Sequence, residues 1–200
     1  DPRRDHSIRI PRPDLSEKLN TPNACNQCHT DKSILWSTKH FEKWYGTNIS
    51  KNPHYGEILY AGRSGHPNAG KELIKLIQDK STPPIVKATG LSLLGRYPTQ
   101  PALEIIIKSL KSQNPMLRIA ALGALETMPS ENRFSYVLPL LSDPVLAVRN
   151  EASRLLADVP MQRLNRTYQS SLQKGIKEYI HVQQTNGDQP GSHLNLGILY

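Results

Sequence analysis

The stretch "TPNACNQCHT", residues 21–30, contains both cysteines of the 200-residue chain, Cys25 and Cys28, with His29 directly after the second. Two thiols three positions apart and an adjoining imidazole admit three chemistries: covalent haem attachment, a redox-active dithiol, or half of a zinc site. A redox dithiol is expected at a strand-to-helix turn in a βαβ setting, and no β-branched run flanks these residues. Zinc requires two further ligands, which here would have to be histidines or carboxylates at irregular spacing. Haem c needs only what is present, because the thiols add across the two vinyl groups and the adjacent imidazole becomes the proximal iron ligand. The residues therefore point to haem c, covalently held by Cys25 and Cys28, with His29 on the iron.

A sixth ligand would come from His6, His40, His54, His66, His181 or His193, or from Met116, Met128 or Met161. The methionines lie in stretches that read as packed helices, where Met fills gaps in a core. Two histidine ligands are the default expectation, and they favour a low reduction potential. His6 sits in "DHSIRIPRPD", whose prolines hold the segment extended, so that it needs a surface to lie against. A haem edge would serve, with Arg3, Arg4, Arg9 and Arg12 available to its propionates; an arm wrapping the domain is the alternative. His54 and His40 are the other candidates. They flank or lie within the helix-like "SILWSTKHFEKWYG", where Trp36, Phe41 and Trp44 could wall a haem or form ordinary core. An open sixth position would instead make a ligand sensor or a peroxidase-like site.

Composition constrains what carries these residues. Apolar residues make up 37% of the chain and mean hydropathy is −0.52, so a sizeable core is available. No run approaches the roughly 18 apolar residues of a membrane helix. The chain opens on "DPRRDHSIRI", without an initiator Met or a leader, and is expected to be a processed or excerpted piece. The net charge of +8 is spread along the chain among acids, with no basic run interleaved with aromatics, so nucleic acid is not the expected partner.

Beyond Gly56 the texture becomes repetitive. "PPIVKATGLSLL" (83–94), "NPMLRIAALGAL" (114–125) and "DPVLAVRNEASRLL" (143–156) superpose with Val86, Leu117 and Val148 in register, a 31-residue step each time. Lys87, Arg118 and Arg149 follow these positions. Each unit begins with proline, where a helix loses nothing by the missing N–H, and continues at helical period. The helix-like "AGKELIKLIQ", "PALEIIIKSLK" and "RFSYVLPLL" lie between them, which predicts stacked antiparallel helix pairs. These units resemble HEAT repeats over roughly residues 67–159. A long amphipathic helix is expected in "RLNRTYQSSLQKGIKEYIHVQQ", broken by "TNGDQPGS". The closing "HLNLGILY" matches the L-G-x-x-Y core of a tetratricopeptide helix, with His193 where that motif often has Trp. His181 and His193 are expected to be exposed.

The predicted fold is mainly α. A short irregular haem c-binding segment (1–56) precedes HEAT-like repeats (57–159), then a long helix and the start of a tetratricopeptide-like repeat (160–200).

With "DPRRDHSIRIPRPDLS", "TPNACNQCHTDKS", the later Trp and "WYG", "AGRSG" and "DQPGSHLNLGILY", the chain resembles the C-terminal part of a family of bacterial multihaem cytochromes c that end in HEAT-like and tetratricopeptide repeats. The resemblance implies Cys25 and Cys28 as thioether attachments, His29 as proximal and His6 as distal ligand, further CxxCH sites upstream, and export. It implies electron transfer as the function; redox proteins or neighbouring haem-bearing chains are the expected partners, with an oligomer or a chain of haems as a further possibility. The chain departs from that family in having a single CxxCH. No catalytic residue is assigned, since two histidine ligands leave no open iron position. The expected location is periplasmic or extracellular. An interaction scaffold, in which haem only staples the N-terminal segment, is the alternative.

Overall fold

The computed structural model describes residues 10–51 and 53–200, which are mostly helical and contain no strand. The chain divides into two compact units, Asp1–Ala69 and Gly70–Tyr200.

In the first unit, α1 (Pro13–Leu19) begins with proline at its first position. The missing N–H costs nothing there, so Pro13 starts a helix where an extended arm is expected from the proline content. Asn20 ends it in the left-handed region at φ 51, which asparagine tolerates better than most residues. A short α2 (Ala24–Cys28) carries the cysteines, and α3 (Ile34–Tyr45) and α4 (Asn48–Lys51) follow. Then comes α5 (Tyr55–Arg63), so the expected boundary after Gly56 falls inside a helix. The reason is local: the His54 ring caps α5, its Nδ1 accepting the Gly56 N–H at 3.0 Å. α1 packs on α3 and α5, which contribute the buried Leu15, Phe41 and Leu59.

The second unit runs α6 (Ala69–Gln78), α7 (Pro84–Leu94), α8 (Gln100–Ser109), α9 (Pro115–Ala124), α10 (Ser130–Val137), α11 (Leu146–Leu155), α12 (Arg166–Thr185) and α13 (Pro190–Leu199). Pro139 turns the end of α10 into a 3-10 turn (Leu138–Ser142), because its ring blocks the α-helical ladder. The three register helices α7, α9 and α11 stack in succession, α11 packs on α12, and α12 on α13. Their facing side chains Leu91, Leu94, Ala121, Leu122, Val148 and Leu155 are buried. Burying each such leucine contributes on the order of 1.5–3 kcal/mol. Two glycines permit close approach: a Cβ on Gly95 would stand 2.6 Å from the Ala124 carbonyl oxygen, and one on Gly175 would run into the Ser153 hydroxyl. The result is an α-solenoid.

Two of the three register cations, Arg118 and Arg149, stitch this stack. Arg118 binds Asp143 through two hydrogen bonds of 2.8 Å and donates to the Ser112 carbonyl at 2.7 Å. Arg149 repeats the pattern one step on, at 2.9 and 3.2 Å to Glu178 and 2.8 Å to the Asp143 carbonyl. Arg133 similarly reaches the Leu155 carbonyl at 3.0 Å and that of Met128 at 2.9 Å, satisfying acceptors at helix ends.

The methionines differ from expectation. Met116 lies in α9, but Met128 lies in the turn after α9 and Met161 in a 3-10 turn, and all three are half-buried. α13 leaves Leu194, Ile198 and Tyr200 exposed. His181 and His193 are exposed, the latter held by its Nε2 to the Gly187 carbonyl at 2.8 Å. Among the described residues no helix is long and apolar enough to cross a membrane.

Candidate functional site

Cys25 and Cys28 occupy one turn of α2, which places both thiols on neighbouring faces of the same short helix. Both are free; Cys25 is half-buried and Cys28 exposed. His29 forms the C-terminal cap, its N–H donating to the Cys25 carbonyl at 2.9 Å, and its side chain is exposed.

A five-residue helix cannot hold itself together, since nucleation is unfavourable and few backbone bonds form. Asn26, one of the two residues between the cysteines, supplies what the backbone lacks. Its N–H donates to the Asn23 side chain at 3.1 Å, and Asn23 Nδ2 donates back to Asn26 Oδ1 at 3.0 Å. Asn26 Nδ2 donates to the Lys32 carbonyl at 2.8 Å, closing the turn beyond His29. The buried Ser37 of α3 donates its hydroxyl to Asn26 Oδ1 at 2.8 Å. One amide thus ties the helix cap, the following turn and α3 together. Sequence reasoning missed Asn26 because attention falls on the thiols; the available signal was the Asn-x-x-Asn spacing of a helix cap with a returning amide. Asn26→Ala leaves the Ser37 hydroxyl and the Lys32 carbonyl without this partner, which costs about 1–3 kcal/mol. Thiol-modification rates in the haem-free protein measure the effect: Cys25 will react faster in the variant, whereas an unchanged rate would show that α2 is held by other means.

α3 starts at Ser33, whose hydroxyl accepts the Trp36 N–H at 3.1 Å. Trp36, His40 and Trp44 follow at four-residue spacing and form one face, while Ser37 and Phe41 are buried. The His29 ring lies 4.9 Å from Trp36, Trp36 lies 4.2 Å from His40, and His40 lies 6.0 Å from Trp44, centroid to centroid. Trp44 and Tyr45 are about two-thirds exposed, at 65% and 64%. The structure therefore brings the His29, Trp36 and His40 rings together, His29 following Cys28 directly in the chain.

The histidines differ in tautomer. His40 Nδ1 stands 2.9 Å from the Trp36 carbonyl, so it carries the proton and leaves Nε2 with a lone pair. His54 Nδ1 accepts from Gly56, so the neutral ring carries its proton on Nε2. His54 acts as a helix cap with its ring on Tyr55, 4.1 Å between centroids. Of the remaining expected site residues, His6 and Arg9 lie outside the described residues. Arg12 is engaged by Asp14 through bonds of 2.9 and 2.8 Å. Burial acts to raise the Asp14 carboxyl, but the Arg12 guanidinium outweighs it and holds the group below its ordinary value.

The donor set fits covalent haem. Two accessible thiols and one exposed imidazole within five residues are what attachment requires, and the thiols need not converge on a metal. A tetrahedral zinc site would need convergence, and no group of three or more His, Cys, Asp or Glu side chains among the described residues is placed for it.

Comparison with known families matches part of the second unit. Residues 70–157 match the family model described as HEAT repeats. With the stacked helices of α6 to α11, this stretch is a HEAT-like α-solenoid. Comparison with curated proteins and with solved structures finds no match.

Proposed function

We propose that this chain is a haem c electron carrier built onto a helical-repeat scaffold. The observation that carries the reading is the arrangement at α2: two free thiols on one turn, then an exposed imidazole, locked in place by Asn26. Haem c would supply one-electron chemistry at its iron. Cys25 and Cys28 would hold the group by thioether bonds and His29 would be its proximal ligand. Trp36, against the His29 ring, restricts how that ring can turn. His6 is the distal ligand by resemblance, and His40 has the tautomer that ligation through Nε2 requires. Attachment of haem c is performed outside the cytoplasm, so the reading places the protein in the periplasm or beyond, with redox proteins or other haem-bearing chains as partners.

The test is the visible spectrum of protein produced with export and haem-ligation machinery, oxidised and dithionite-reduced, after a denaturing wash. Sharp low-spin α and β bands that survive denaturation are expected. Their loss in His6→Ala or His40→Ala assigns the distal ligand. Carbon monoxide binding by the reduced protein would reveal an open site instead. A colourless protein would end the haem reading.

A second reading, the interaction scaffold, is favoured by the match of residues 70–157 to HEAT repeats. It expects partner binding to survive Cys25→Ser with Cys28→Ser, whereas a carrier loses its function with its haem.

A further inference from the structure

Lys87, Arg118 and Arg149 hold the same register position near the starts of α7, α9 and α11. In the second and third, a carboxylate from a later element meets the cation: Asp143 for Arg118 and Glu178 for Arg149. Asp143 stands 25 residues after Arg118. The residue with that spacing from Lys87 is Ser112, which has no charge to offer.

The consequence appears in the grooves between successive helix pairs. Arg118 in one neighbouring groove and Arg149 in the next are each paired with a carboxylate that lines the same groove, although Lys111 also borders the groove of Arg118. The first groove, of about 630 Å³, is lined by Lys87, Lys108 and Lys111 and by no carboxylate. None of these three lysines forms an ion pair among the described residues. Asp79, the carboxylate that feels the Lys87 charge, is turned to Ser81 and Thr82 at 2.7 and 3.1 Å. Between the lysines the lining is mixed, with Gln78, Ser109 and Ser112 beside the half-buried Leu117 and the edges of the buried Ile77 and Ile105.

We propose that this groove binds an acidic polypeptide segment, one carboxylate of which takes the place that Asp143 and Glu178 fill in the next two grooves. Arg118 and Arg149 each take a carboxylate as partner, and the lysines' flexible ammonium groups accept one without demanding bidentate geometry. Apolar side chains flanking the acid find Ile77, Ile105 and Leu117, where burial strengthens the attachment. The inference rests on the scaffold reading, names its partner class, and is independent of haem.

Fluorescence anisotropy of the full 200-residue chain tests it, with labelled peptides of equal length rich in Glu and Leu, in Gln and Leu, or in Lys and Leu. Only the Glu peptide will bind, and its affinity will fall as salt is raised. Lys108→Glu with Lys111→Glu will weaken it at least about tenfold, roughly 1.4 kcal/mol. Ser112→Asp, which supplies Lys87 with the missing acid, will weaken it similarly, while circular dichroism and the urea midpoint show the fold intact. Equal binding of the Gln peptide, unaffected by Ser112→Asp, would overturn the groove and leave the scaffold reading standing. Failure of every peptide to bind would overturn the groove as well. So would tighter binding of a single-stranded oligonucleotide that the lysine variants abolish, which would make this a nucleic-acid surface.

Discussion

Cys25→Ser combined with Cys28→Ser will give a folded protein from which all haem absorbance is removed by a denaturing wash. A serine hydroxyl does not add to a vinyl group under the conditions in which a thiol does, because the sulfur nucleophile is far stronger. The effect is therefore all-or-none at the level of the covalent bond. It will not be confused with unfolding. Neither cysteine is part of the buried core, and α2 is held by Asn23, Asn26 and Ser37. Far-ultraviolet circular dichroism and the urea midpoint will match those of the haem-free parent, since a haem bound only to the folded state would itself add stability. Single replacements will each leave one thioether and so keep some colour after denaturation. Haem bands that withstood denaturation in the double variant would sink the assignment of these residues.

The second large effect belongs to the solenoid. Arg118→Ala will destabilise the second unit by about 3–5 kcal/mol, a substantial share of the roughly 5–15 kcal/mol that stabilises a typical domain. The magnitude follows from burial. The Arg118 and Asp143 side chains are only 10% and 8% exposed, so removing the guanidinium leaves a carboxylate away from water with its main partner gone. The Val145 N–H, at 2.9 Å, would remain as its neighbour. The Ser112 carbonyl loses its donor at the same time. Truncating Arg149 is expected to cost less, because its pair with Glu178 is about one-fifth exposed on both sides. Disrupting Arg133 with Asp158 through Asp158→Ala will change stability by less than about 1 kcal/mol, since Asp158 is 57% exposed. Urea unfolding of the three variants checks the ranking. A double replacement of Arg118 and Asp143 by apolar residues of similar volume will recover much of the loss, because no unpaired charge then remains buried. Equal losses in all three single variants would show that burial does not set the cost.

Much of this was legible along the chain. The CxxCH motif is local, because five consecutive residues carry the two thiols and the imidazole whatever surrounds them. The helices of the second unit were legible for a related reason. Helical period, proline at first turns and the 31-residue step are properties of short stretches, and α7 and α9 begin at prolines Pro84 and Pro115 as that grammar predicts. The repetition of Lys87, Arg118 and Arg149 was visible too, but as a pattern of cations without partners.

What only the tertiary structure decided is which group meets which. Asp143 reaches Arg118 from 25 residues away and Glu178 reaches Arg149 from 29, and no sequence register links those two acids. Their roles depend on how each helix pair sits on the next, which is set by packing across the stack. That same packing leaves Lys87 and Ser112 lining one groove without a carboxylate, and so distinguishes it from its two neighbours. In the first unit, proximity in three dimensions made Asn26 the tie between α2 and α3, through the Ser37 hydroxyl eleven residues away. Residue type and spacing determine which chemistry a chain can hold. The contacts of distant segments determine which of those groups are already satisfied and which remain available.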